Sequence, residues 1–248
     1  MNAARDPGAG DTLARLIAAA YAQFDRPPPP TTGVCRGCCM DPAIEADFLN
    51  HAARDLPLAY IEDWYFAAHA ADLGRAHMAW LLPRILDLLA FAPGFGRQGL
   101  EVTLNRLPPA GFPDHWPAAD VALVADCCLA IFSRRLRAPG ACLDEWLCCF
   151  GEGGLDIAPF LAHLDALPDA RLAALLARDW PPDPDAAIPF SAFWARQPAK
   201  DRVWEWYTSR RLRDRLAGVA LAGGPLADAA LAMAAMIETH ADWAQPPG

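Results

Sequence analysis

The chain has no apolar run long enough to cross a bilayer, no excess of basic charge, no alternating β-branched segments and no catalytic fingerprint. Each gap removes a class of function. A spanning helix needs about 18 or more consecutive apolar residues, and Arg, Asp or Pro interrupts every candidate window in the sequence. Lys and Arg number 21 against 30 Asp and Glu, a net charge of -9 with a pI near 5.0. Gripping a phosphate backbone requires clustered cations that replace counterions, so this balance argues against nucleic acid as the partner and favours a basic protein. Val, Ile and Thr runs of period two are missing, which leaves little material for a sheet. No HExxH, GxSxG, Walker loop or dinucleotide fingerprint occurs, and an enzymatic reading therefore has no motif to stand on.

What is present is a chain built to fold. Of its 248 residues 54% are hydrophobic and 21% charged, outside the range of disordered sequences. We read residues 1–248 as a single helical domain, with an N-terminal helix and proline spacer over 1–30. Near the start, Asp6 and Asp11 precede an apolar stretch and Arg15 interrupts it. That stretch is amphipathic rather than apolar all round, so it reads as a helix and not as a signal segment, and we expect a cytoplasmic protein. Asp11 is placed as its N-cap, with Leu13, Leu16, Ile17 and Tyr21 facing inward.

Pro and Gly divide the remainder into about ten helical segments, which predicts an all-α fold, either an irregular helical bundle or a short α-solenoid. Pro27 to Pro30 form a stiff extended spacer, and Pro181 to Asp185 make the second candidate break. Asp41-Pro42 supplies an N-cap with proline at the first helical position, opening a helix through about Arg54. Pro83 is expected to kink or split a long apolar helix that begins at Asp72. Further helices are expected over Phe190 to Arg196, Ala199 to about Ala222, and Pro225 to about Trp243.

Eight cysteines include three adjacent pairs, Cys38-Cys39, Cys127-Cys128 and Cys148-Cys149. Neighbouring residues rarely bridge each other, and a chain of this size has no need of disulfide staples, so the thiols are read as reduced. Cys127-Cys128 and Cys148-Cys149 sit among Leu, Ile, Ala and Phe and are expected in the core. The sharpest local signal is CRGCC, carrying Cys35, Cys38 and Cys39 on a glycine-containing loop. Such a turn can set two thiolates for one tetrahedral zinc, with Gly37 supplying an unusual backbone angle and His51 as the nearest candidate to complete the set. The same thiols support a redox reading, since Arg36 and a following helix N-terminus would acidify them, although the βαβ setting of thioredoxin-like proteins is missing.

The CxxC loop, the acidic helix after it, the aromatic segment YIEDWYFAAHA from Tyr60 and the segment WLLPRILDLLA from Trp80 together resemble a group of bacterial all-helical proteins. The likeness covers about Cys35 to Ala92. It implies an all-helical fold and carries no activity or functional residue. Cys39 beside Cys38 departs from the simple pattern and leaves open which thiol is the second of the pair.

His69 with Asp72 and Glu62 could form a base held by acids, against the plainer reading of a solvated helix face. In VWEWY, Trp204 and Tyr207 share a helical face while Trp206 points elsewhere, either under a neighbouring helix or at a contact surface. The loop GFPDHW, with Phe112, His115 and Trp116, poses the same choice. The sequence thus leads us to expect a non-enzymatic protein–protein interaction module with an acidic surface, an adaptor or a neutralising partner. The alternative is a metal-binding or thiol-redox protein centred on CRGCC, with zinc as its metal.

Overall fold

The computed structural model describes residues 7–35, 39–69, 73–92, 94–96, 99–138, 140 and 142–241. It is all-α, 61% helical, with no strand among the described residues. Two compact units are present, one of residues 1–135 with 152–155, the other of 136–151 with 156–248. Pro181 to Asp185 lies inside the second unit.

The first unit contains α1 (Pro7–Gln23), α2 (Pro42–Phe48), a 3-10 turn (Ala53–Asp55), α3 (Leu58–Phe66), α4 (Arg75–Phe91), a second 3-10 turn (Leu100–Val102) and α5 (Ala118–Arg135). Its centre is α4, where Met78 to Pro83 and Ile85, Leu86, Leu88, Leu89 and Ala90 are all buried. A helix that is apolar all round must be covered all round, and α1 and α5 pack against it and against each other. A single helix runs through Pro83. The inward face of α1 is Leu13, Ile17, Ala20 and Phe24, and Asp11 lies within the helix rather than at its start. A buried carboxylate ties the three helices: Asp120 on α5 accepts from Gln23 at 2.6 Å and faces Arg75 of α4 at 3.7 Å.

Asp41 caps α2 as its sequence implies, accepting from the Ala43 amide at 2.7 Å with Pro42 in the first turn. The helix stops at Phe48 rather than near Arg54. Residues 49–52 leave the helix before the 3-10 turn, so His51 and Asp55 do not share a helical face.

The second unit contains α6 (Leu143–Glu152), whose last residue groups with the first unit, α7 (Ala158–Asp165), α8 (Asp169–Leu176), α9 (Gln197–Tyr207), α10 (Arg210–Ala222) and α11 (Ala227–His240). The last two form an antiparallel hairpin turned at Gly223 and Gly224, both at positive φ. The helix expected over 199–222 is two helices. Ser209 ends the first and caps the second, accepting from the Leu212 amide at 3.2 Å. Arginines of α9 and α10 reach aspartates around α7 and α8: Arg202 to Asp156 at 2.9 Å, Arg211 to Asp165 at 2.8 Å and Arg215 to Asp169 at 2.6 Å. The four middle cysteines, Cys127, Cys128, Cys148 and Cys149, are wholly buried, as expected of small apolar side chains. No helix among the described residues is long and apolar enough to cross a membrane.

Candidate functional site

The approach to the cysteine loop is fixed by backbone carbonyls and rings. The Trp64 indole donates to the Thr32 carbonyl at 3.0 Å, and the His77 ring meets the Thr31 carbonyl at 3.0 Å. The Cys35 amide donates to the Ala68 carbonyl at 2.7 Å, beside an isolated antiparallel bridge between Val34 and His69. Gly33 makes this close approach possible. It sits at φ +76°, and a Cβ there would lie 2.5 Å from the Leu73 side chain.

Under this anchor lies a cationic and aromatic cluster. Arg106 places its guanidinium 4.6 Å from the centre of the Trp64 ring, donates to the Tyr65 carbonyl at 2.9 Å and bonds to the imidazole of His69. Burial pushes the His69 pKa down to about 4, with the Arg106 charge and then His77 adding to it. A ring this weakly basic, already engaged by a guanidinium, is poorly suited to general-base work near neutrality. Asp72, the acid expected beside it, lies outside the described residues.

The predicted metal ligands are only partly placed. Cys35 and Cys39 are half-buried, while Arg36, Gly37 and Cys38 lie outside the described residues. His51 bonds through Nε2 to Asp47 at 2.9 Å, and the Tyr60 hydroxyl donates to the same carboxylate oxygen at 3.0 Å. These two hydrogen bonds, that from His51 first, hold the Asp47 carboxyl below the usual range, and the bond to Asp47 raises the Tyr60 phenol. Among the described residues, no three His, Cys, Asp or Glu side chains gather closely enough to hold a metal ion. Elsewhere burial raises the thiols of Cys127 and Cys142 to about 12, which leaves them protonated and unreactive.

A second candidate lies in the second unit, where Phe190 to Arg196 forms an aromatic loop instead of a helix. Buried Asp144 holds it, accepting from the Ser191 amide at 2.5 Å and from the Trp194 indole at 3.4 Å. The Phe190 ring stacks on Trp194 at 5.6 Å and meets Trp204 edge-on at 5.5 Å, with Tyr207 buried beneath. The outer side of this cluster is open: Phe193 is 53% exposed and Trp204 37%. Asp201 and Glu205, also exposed, flank Trp204 on α9, and among the described residues neither has a cationic partner.

The spacing in VWEWY singles out Trp206 as the outlier, but Trp206 is half-buried and donates to Asp165 at 3.1 Å, and Trp204 is the ring left open. The signal for Asp144 is a lone acid in the first turn of LDEWLCCF, and it has no local pattern that marks it as a loop anchor. In GFPDHW, Phe112 and Trp116 are buried and only His115 is exposed, so that loop is a packing element. No protein-family model, curated protein or solved structure matches the chain.

Proposed function

We propose that the chain is a non-enzymatic helical protein–protein interaction module, an adaptor or neutralising partner, whose docking surface is the open aromatic cluster of the second unit. The observation that carries this reading is the exposure of Phe193 and Trp204 on a rigid, hydrogen-bonded ring assembly. Aromatic side chains presented this way are the residues that dominate binding energy where partners dock. The occupant that fits is a basic segment bearing an apolar anchor. The anchor would seat on the rings, and the Asp201 and Glu205 carboxylates beside them, on a chain of net charge -9, would attract its cations.

Selection from a displayed random-peptide library tests this directly. The expected result is enrichment of sequences combining Lys or Arg with a large apolar residue, whose binding weakens at least tenfold for Phe193→Ser with Trp204→Ser and falls with salt. No enrichment, or enriched peptides that bind the double variant equally well, would overturn the reading.

A second reading, a zinc site at Cys35, Cys38, Cys39 and His51, draws support from the Asp47–His51 pair. A carboxylate holding one ring nitrogen is the arrangement that orients a metal-ligating histidine. Elemental analysis of protein purified under reductant, without a metal-affinity tag, should then give one zinc per chain, lost in Cys35→Ser with Cys38→Ser. Full metal content in that double variant would exclude the site.

A further inference from the structure

We infer that the first unit contains a binding site for a small organic anion, a carboxylate or a phosphate monoester on an apolar body, in a cleft between the end of α1, the segment after α2 and α4. The cleft has a volume of about 320 Å³, within the lower range of small-molecule sites. Its walls are apolar and fixed. Phe24 and Trp80 are each only 2% exposed, and Pro83 of α4 lies beside them, so the space is held open by core residues.

The polar groups of the mouth give the site its sign. Arg26 and Arg54 both line the cleft, and among the described residues neither is paired with a carboxylate or a carbonyl. This differs from most arginines of the chain. Arg84 holds Asp87 and the Leu56 carbonyl, Arg135 holds the Leu89 carbonyl, and Arg215 holds Asp169. Arg54 is further oriented by stacking 4.8 Å from the centre of the Tyr21 ring. Tyr21 is pinned in turn by donating to Asp87 at 3.1 Å, so the guanidinium stands on a fixed platform.

Asp25 sits on the same lining and cancels one positive charge, and the Asn50 amide adds a hydrogen-bond donor. The mouth keeps a net positive charge on a chain of net charge -9. Guanidinium forks match the planar oxygens of carboxylate and phosphate, and aromatic walls accept the apolar remainder of such a ligand. A bare inorganic anion would leave the walls empty, and an uncharged aromatic would leave both guanidiniums unanswered.

The test is thermal denaturation and calorimetric titration with five probes: phenylacetate, phenyl phosphate, inorganic phosphate, benzyl alcohol and benzylamine. Phenylacetate or phenyl phosphate is expected to raise the melting temperature and to bind, the stronger of the two identifying the headgroup, while the other three do neither. Arg26→Ala with Arg54→Ala should weaken that binding at least tenfold with an unchanged helical circular-dichroism spectrum, because both side chains are exposed and hold no other element in place. Arg54→Lys should lose affinity to a smaller degree, as a point charge replaces the fork. Absence of binding by both organic anions, equal binding by benzylamine or inorganic phosphate, or full retention of binding in the double alanine variant would overturn the assignment.

Discussion

Arg106 donates to the imidazole of His69, whose pKa falls to about 4, first because burial disfavours the charged ring and then because the guanidinium stands beside it. The pair joins the residues after α3 to the segment after α4, and its electrostatics set a pH dependence. An unfolded histidine titrates near 6.5, so between that value and about 4 the unfolded chain binds a proton that the native chain does not. Stability is therefore present in full above about pH 6.5 and is lost as the pH falls toward 4. Allowing for the part-exposed ring, the loss is about 1–2 kcal/mol. Urea denaturation at pH 7.0 and 4.5 should show a larger drop for the native chain than for His69→Gln, in which this titration is absent. Equal drops would remove His69 as the cause.

How far the sequence reached can be judged from the same neighbourhood. Asp41-Pro42 fixed the start of α2 because capping is local, and the side chain and the amide it serves are two residues apart. Nothing local links Arg106 to His69, which are 37 positions apart, or Asp144 to Ser191, which are 47 apart. The burial of Cys127, Cys128, Cys148 and Cys149 was legible from their apolar flanks. The break at Ser209 was written in the sequence as a serine before RRLR, but strong helix propensity on both sides concealed it. The aromatic loop was the largest miss. Phe190 to Arg196 has helix-compatible composition, and a buried carboxylate from α6 takes its amides instead.

That carboxylate gives a direct prediction. Asp144 is 5% exposed and accepts from both the Ser191 amide and the Trp194 indole. Replacing it by Ala leaves two buried donors unanswered, at a cost of about 2–3 kcal/mol. Asp144→Ala should also release the loop, so amide exchange at Ser191 should accelerate more than exchange in α11. Uniform acceleration across the unit would indicate global destabilisation without a local anchor.

Thiol chemistry follows from burial. Cys127 and Cys142 have pKa values raised to about 12, and the reactive thiolate is scarce at pH 8. Alkylation with iodoacetamide under native conditions should leave both unmodified, and peptide mass spectrometry should find them labelled only in denaturant. Rapid native labelling of Cys127 would contradict its burial.

Gly151 supplies the last prediction, and it bears on the aromatic surface. This glycine lies in the final turn of α6, where an added Cβ would fall 2.5 Å from Cζ3 and 2.9 Å from Cη2 of Trp194. Trp194 cannot retreat easily. Its ring is stacked on Phe190, its indole donates to Asp144 and it is only 5% exposed. Overpacking a fixed ring costs about 1–3 kcal/mol, and Gly151→Ala should destabilise the chain by that amount even though alanine has the higher helix propensity. The displaced ring would also shift Phe190 and the exposed Phe193 beside it. The variant should therefore lose affinity for any peptide selected on that surface, under conditions where chemical denaturation still shows it folded. A Gly151→Ala protein of native stability with native peptide affinity would mean that Trp194 is not held against α6 and that the surface is not rigid.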